Sequence, residues 1–188
     1  MNDYYSIGKS LLDKGEFDKA KTEFTYGITS KDPKCFYGML AANAMQGLEI
    51  ANDVMYLAEH LDDLRALFDD NDADAAFILG RCYEMGIVLP REMHSAIRYY
   101  SIAKERGNSD AMFNLGCIYL SQGINDQKIA EEYFIPSAEL NNPNACFALG
   151  FYYESKEERK LALAYYEKAA LFGNLKMRKQ YNKFALSI

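Results

Sequence analysis

The stretch SAIRYYSIAKERGN, residues 95–108, returns with few changes as IAEEYFIPSAELNN at 129–142 and as LALAYYEKAALFGN at 161–174. In the first copy Ala96, Tyr99, Tyr100 and Ala103 fall at i, i+3, i+4 and i+7, one face of an amphipathic helix, and Gly107 stops it. A second phrase precedes each copy: DAAFILGRCY at 74–83, DAMFNLGCIY at 110–119 and NACFALGFYY at 144–153. It too reads as a helix, and its Leu-Gly pair, at 79/80, 115/116 and 149/150, sets a period of 36 and then 34 residues. Two helices and two turns fill such a period, so the repeating unit is a helical hairpin.

Side-chain size explains the packing. Ala75, Ala111, Ala145 and the glycines Gly80, Gly116 and Gly150 let two helix axes approach closely. Leu79, Leu115 and Leu149 fill the space between, with Tyr83, Tyr119 and Tyr153 four residues later on the same face. One hairpin cannot bury all this alone, so successive hairpins must stack. The expected fold is all-α, an α-solenoid of stacked antiparallel helical hairpins, about five of them plus a C-terminal capping helix.

The order small-x-aromatic-x-Leu-Gly-x-x-Tyr, then a turn, then Ala-x-x-Tyr-Tyr-x-x-Ala and Gly-Asn, resembles the Sel1-like repeat, a longer cousin of the tetratricopeptide repeat, over residues 74–174. The copies vary in the inter-helix turn, which shortens from EMGIVLPREMHS to LSQGINDQKI and ESKEERKL, the last without glycine. The first 34 residues resemble the tetratricopeptide form itself through Tyr4, Ile7, Gly8, Leu11, Ala20, Phe24, Gly27 and Pro33. Residues 35–73 resemble a degenerate unit whose long second helix runs through ANDVMYLAEHLDDLRALF, with Val54, Leu57, Ala58, Leu61, Leu64 and Phe68 at helical spacing. No linker rich in Pro, Gly or Ser divides the chain, so 1–188 reads as a single domain ending in a cap at 175–188. In that cap Tyr181 and Asn182 stand where Leu and Gly stood, and Lys176, Arg178, Lys179 and Lys183 make it basic. Pro136 lies in mid-helix and, lacking an N–H, predicts a kink there.

An apolar fraction of 49% with 26% charged residues is that of a globular chain rather than a disordered one. The net charge of −6 argues against general nucleic-acid binding, which needs Lys and Arg to neutralise phosphates. Residues 1–75 carry 7 Lys/Arg against 15 Asp/Glu, so the charge is polarised along the sequence. The opposite poles allow weak self-association between the acidic and basic ends. No apolar run is long enough to cross a bilayer and the start MNDYYSIGKS is no secretory signal, which gives the expectation of a cytoplasmic protein. Cys35, Cys82, Cys117 and Cys146 form no C-x-x-C pair and sit in apolar phrases, as reduced core thiols do.

Catalytic chemistry needs convergent polar groups, and the sequence supplies none in a recognisable pattern. His60 and His94 are the only histidines, neither is joined to a Ser or Cys nucleophile motif, and no phosphate-binding or zinc-binding signature occurs. In DDNDADA, 69–75, Asp70, Asp72 and Asp74 alternate as in an EF-hand, but Ala75 and Arg81 replace its turn glycine and bidentate Glu. An acidic turn that caps the next helix accounts for those residues. Neither cofactor nor metal is implied, and a cryptic hydrolase or metal protein would need a His/Cys/acid cluster assembled by the fold.

What the resemblance implies is a concave surface lined by first helices. Phe77, Phe113 and Phe147, with Tyr5 in the first unit, form one row; Arg81, Glu84, Leu120, Phe151 and Glu154 lie one to two turns further on. Two readings of the aromatics stand: anchors of a peptide groove, or packing between neighbouring helices. The expected function is a non-catalytic scaffold or adaptor binding a partner peptide or helix, with a chaperone for a secreted or aggregation-prone client as the alternative.

Overall fold

Each sequence phrase ends on the residue that begins the next helix. The Asn108 side chain accepts the Ala111 N–H at 2.8 Å, Asn142 those of Asn144 and Ala145 at 3.0 Å, and Asn174 that of Lys176 at 3.0 Å. Asp72 does the same for Ala75 at 2.7 Å, so the acidic turn is indeed a helix cap. Such caps contribute about 1 kcal/mol each by satisfying amides that have no partner in the first turn.

The computed structural model describes residues 3–123 and 126–186, and all regular structure among them is helical. Its packing divides into two units, Met1–Arg106 and Gly107–Ile188. The first holds α1 (Tyr4–Asp13), α2 (Phe17–Thr29), α3 (Lys34–Met45), α4 (Ala51–Glu59), α5 (Leu61–Asp69), α6 (Ala73–Met85) and α7 (Met93–Glu105). The second holds α8 (Ser109–Ser121), α9 (Asp126–Ile129), a π-helical turn (Ala130–Phe134), α10 (Ile135–Glu139), α11 (Pro143–Ser155), α12 (Arg159–Phe172) and α13 (Leu175–Ala185). Consecutive helices pair as antiparallel hairpins in both, the solenoid class expected from the repeats.

The closest approach in a hairpin is a second-helix ring seated on a first-helix glycine. A Cβ on Gly8 would lie 2.4 Å from the Phe24 ring, on Gly80 2.6 Å from Tyr100, on Gly116 2.5 Å from Phe134, and on Gly150 2.4 Å from Tyr166. No residue larger than glycine fits beneath these rings. Tyr100, Tyr166 and Phe24 are fully buried, so the repeated Leu-Gly and Tyr-Tyr phrases are the two halves of one contact.

Local departures from the sequence reading have physical causes. The long second helix expected through 51–68 is two helices, because His60 leaves the helical region at φ −107°, ψ 16°. Its ring stacks on Phe36 at 4.3 Å and its Nδ1 meets Asp63 at 3.0 Å, contacts that the unbroken apolar spacing conceals. Around Pro136 the α-helical bond pattern is interrupted by the π turn, in which the Ile135 N–H reaches back to the Ala130 carbonyl. The disruption expected from proline thus falls just upstream of it. Of the turn at 120–129, residues 124 and 125 lie outside the described residues. The third turn, without glycine, places Glu157 in the left-handed region at φ 60°. Since a side chain there is strained by roughly 1–2 kcal/mol, Glu157→Gly should raise stability by about 0.5–1 kcal/mol net of glycine's entropy. A denaturant midpoint that stays put or falls would contradict this.

Cys35, Cys82 and Cys146 are buried as expected, whereas Cys117 is exposed. Burial, with nearby Asp32 adding to it, pushes the Cys35 thiol up to about 12; burial pushes Cys82 to about 12 and Cys146 to about 11. Burial alone would lower Lys34, but the hydrogen bond and charge of Asp72 more than reverse it, so its pKa is raised. The signs agree: each of these groups has a folded pKa above its unfolded one. Their contribution to stability is therefore complete below pH 9 and is lost as pH climbs toward 11–12. Denaturant melts at pH 8 and pH 10.5 should show a lower midpoint at the higher pH.

Candidate functional site

The candidate residues divide by what they touch. Tyr5 and Phe77 are buried, at 2% and 7% exposure. The Tyr5 ring lies 6.3 Å from Phe24, and Phe77 lies 5.8 Å from Tyr100 and 6.4 Å from Tyr37. Both pack behind the ring that closes their hairpin, which at these two positions is the packing arrangement of the two readings. Phe113 and Phe147 are half-buried at the same register, 5.6 Å from Phe134 and 5.8 Å from Tyr166.

Glu84 and Glu154 accept hydrogen bonds from those closing tyrosines. The Tyr100 hydroxyl donates to Glu84 Oε2, and the Tyr166 hydroxyl to Glu154 Oε2, each at 2.5 Å. Burial, reinforced by the Glu154 bond, holds the Tyr166 pKa well above the usual phenol value. In the hairpin begun by α8 the same two register positions carry Leu120 and Phe134, an apolar pair in place of the polar one. This exchange was readable from the sequence, since Glu occurs with Tyr and Leu with Phe. Arg81 joins the network, with Nη1 2.7 Å from Glu84 and Nε–H donating to the Tyr37 hydroxyl at 3.1 Å. It ties α3 to α6, so Arg81 and Glu84 already serve the stack.

The position after the Leu-Gly pair is different in the second unit. Phe151 is 48% exposed, and its ring meets Phe147 edge-on at 4.9 Å and Tyr166 edge-on at 5.5 Å. Two flanking aromatics hold its orientation, so a ligand would lose little side-chain entropy in binding it. Cys117, exposed, occupies the same register position on α8, a surface residue that the apolar phrase around it disguised. Beside Glu154, three residues on, lies a cleft of about 480 Å³ lined by Glu154, Glu157, Arg159 and Phe184. These residues set two acids and one arginine around the edge of the buried Phe184.

Known families match in the same register. The Sel1 repeat model fits residues 73–108 and 109–142, and the tetratricopeptide repeat model fits 143–171. A solved Sel1 repeat protein from Oxalobacter formigenes is 34% identical, with a TM-score of 0.58, over 65% of this chain and 97% of that one. The chain belongs to the Sel1 and tetratricopeptide repeat family. A protective antigen of uropathogenic Escherichia coli displaying an SLR fold shares the architecture at 21% identity and a TM-score of 0.56, covering 90% of this chain and 37% of that one. Chitin synthase regulatory factor 1 of Schizosaccharomyces pombe is 33% identical over 87 residues, 43% of this chain and 19% of that protein's length. Sel1 repeats are protein-binding modules and typically carry no catalytic machinery. Among the described residues of this Sel1 repeat chain, no three His, Cys, Asp or Glu side chains are grouped to hold a metal, and no helix is long and apolar enough to cross a membrane.

Proposed function

We propose that this Sel1 repeat chain is a non-catalytic adaptor that binds a protein segment on the first-helix face of its second unit, with Phe151 as the anchor. The carrying observation is the half-exposed Phe151 ring, braced by Phe147 and Tyr166, with Glu154 three residues on along α11 opening onto a cleft shared with Glu157 and Arg159. Large apolar side chains held in place and ringed by polar groups are what interaction hot spots consist of. Cys117 extends the face onto α8, while Leu120 and Phe113 lie beside it in register. Tyr5, Phe77, Arg81 and Glu84 support the stack of the first unit. The partner is a protein or peptide, and no cofactor enters the reading.

Cys117 supplies the test, because the other three cysteines are buried. A maleimide-linked photo-crosslinker on Cys117 should capture one discrete protein from the native source, and Phe151→Ala should abolish that capture. The control carries the same probe on the exposed outer face of α7, as Arg98→Cys with Cys117→Ser. Equal capture by probe and control, or capture indifferent to Phe151→Ala, would overturn the assignment of this face.

A further inference from the structure

The second helices of the stack share one register, anchored by the closing rings Phe24, Tyr100, Phe134 and Tyr166. Two residues before the ring stand Thr22, Arg98 and Glu132, then Ala164; five after it stand Thr29, Glu105 and Glu139, then Leu171. All eight positions are exposed. The first three hairpins of the set are polar at both, as a water-facing helix surface should be, and α12 alone is apolar at both. Leu171 is 67% exposed, and Leu175 at the start of α13 is 62% exposed. Nothing in the hairpin's own packing calls for leucine there.

Ala164 and Leu171 line a cleft of about 560 Å³ between α12 and α13, whose other wall is Arg178, Tyr181 and Asn182. Asn182 stands at the register of Gly150, the α11 residue that faces its own second helix beneath Tyr166. The cleft therefore has the geometry by which each first helix of the stack receives a helix alongside it. The α12 wall sets Ala164, Ala170 and Leu171 beside Glu167 and Lys168, and the α13 wall is polar. The charge around it is mostly positive: α13 carries Lys176, Arg178, Lys179 and Lys183 and no acidic residue, and on the α12 side Lys168 stands beside Glu167. Two copies meeting symmetrically through this face would set these cations against one another, which disfavours a second copy as occupant.

We infer that the α12–α13 cleft is a second docking site, separate from the Phe151 face, and that it receives an acidic amphipathic helix of another protein. Leu171 and Ala164 take its apolar face, and Arg178, whose Nε–H donates to the Ala170 carbonyl at 3.3 Å, offers its remaining guanidinium donors to its carboxylates within the positive field of the α13 lysines. The inference does not depend on the role of Phe151.

Two synthetic helical peptides sharing one apolar register, with Glu at the remaining positions of one and Lys in the other, test it by fluorescence anisotropy on the full chain. The acidic peptide should bind saturably and at least tenfold tighter than the basic one, with affinity falling as salt rises. Leu171→Glu, which installs the residue found at this position in two other hairpins, should weaken it at least tenfold while leaving the thermal midpoint unchanged. Arg178→Glu should reverse the preference between the peptides, and Phe151→Ala should change nothing. Equal binding of both peptides, no saturable binding of either, or wild-type affinity in Leu171→Glu would overturn the proposal. Sedimentation showing that the chain alone dimerises, and that Leu171→Glu abolishes the dimer, would assign the cleft to a second copy instead.

Discussion

Tyr166→Ala should lower folding stability by about 3–5 kcal/mol, the range for emptying a large aromatic from a core. The ring is fully buried over Gly150 and contacts Phe147, Phe151 and Phe184, so its loss empties the centre of the α11–α12–α13 packing. It also leaves Glu154 without its phenolic donor. Tyr166→Phe separates the two effects: it keeps the ring, removes the hydroxyl, and should cost only about 1–2 kcal/mol, as for a hydrogen bond to a charged acceptor. The complementary change, Gly150→Ala, places a methyl group 2.4 Å from an immobile ring and should cost about 1–3 kcal/mol through overpacking. Urea melts of the three variants give the order directly. A Tyr166→Ala protein as stable as Tyr166→Phe would contradict the claim that the seated ring closes the hairpin.

A chain ended at Gly173 should be less stable by several kcal/mol and should aggregate. The helix α13 buries Met177 and Phe184, and Phe184 completes a cluster with Ala162 and Tyr166, against which Phe147, Tyr153, Leu163 and Tyr181 pack. Burying one such side chain is worth about 1.5–3 kcal/mol, so removing both takes away a large part of the stability of a typical domain. The uncovered surface is contiguous and apolar, the kind that drives association. Dye binding to exposed apolar surface, a denaturant melt and light scattering on the shortened chain measure the effect. An unchanged melt with clear solution would show that α13 is not a structural cover.

The hairpin stack was legible because repetition writes the same contact several times. Leu-Gly and Tyr-Tyr recur with a fixed offset, and a periodic small residue opposite a periodic aromatic has one packing solution. The break at His60 was hidden because Leu57, Leu61 and Leu64 keep helical spacing across it; the stacking of His60 on Phe36, a contact between distant residues, overrides the local pattern. The π turn before Pro136 was only half legible: proline signals a lost hydrogen bond but not where the helix absorbs it. For the site, an aromatic at a repeated position carries no mark of which side faces water. Phe77 and Phe151 are four residues apart in register, yet one is buried and the other half-exposed. Cys117 was misplaced for the same reason, since an apolar phrase predicts burial on average and not at each position.

The most direct test of the account pairs a denaturant melt with a binding titration, against the partner captured through Cys117, on Phe77→Ala, Phe151→Ala and the core control Leu115→Ala. Phe151→Ala should bind about tenfold more weakly or worse, roughly 1.4 kcal/mol, with its melt close to the parent. Phe77→Ala should track Leu115→Ala, losing about 3–5 kcal/mol of stability, with binding per folded molecule unchanged. Full affinity in Phe151→Ala together with weakened binding by a stably folded Phe77→Ala would contradict the division between supporting and binding aromatics.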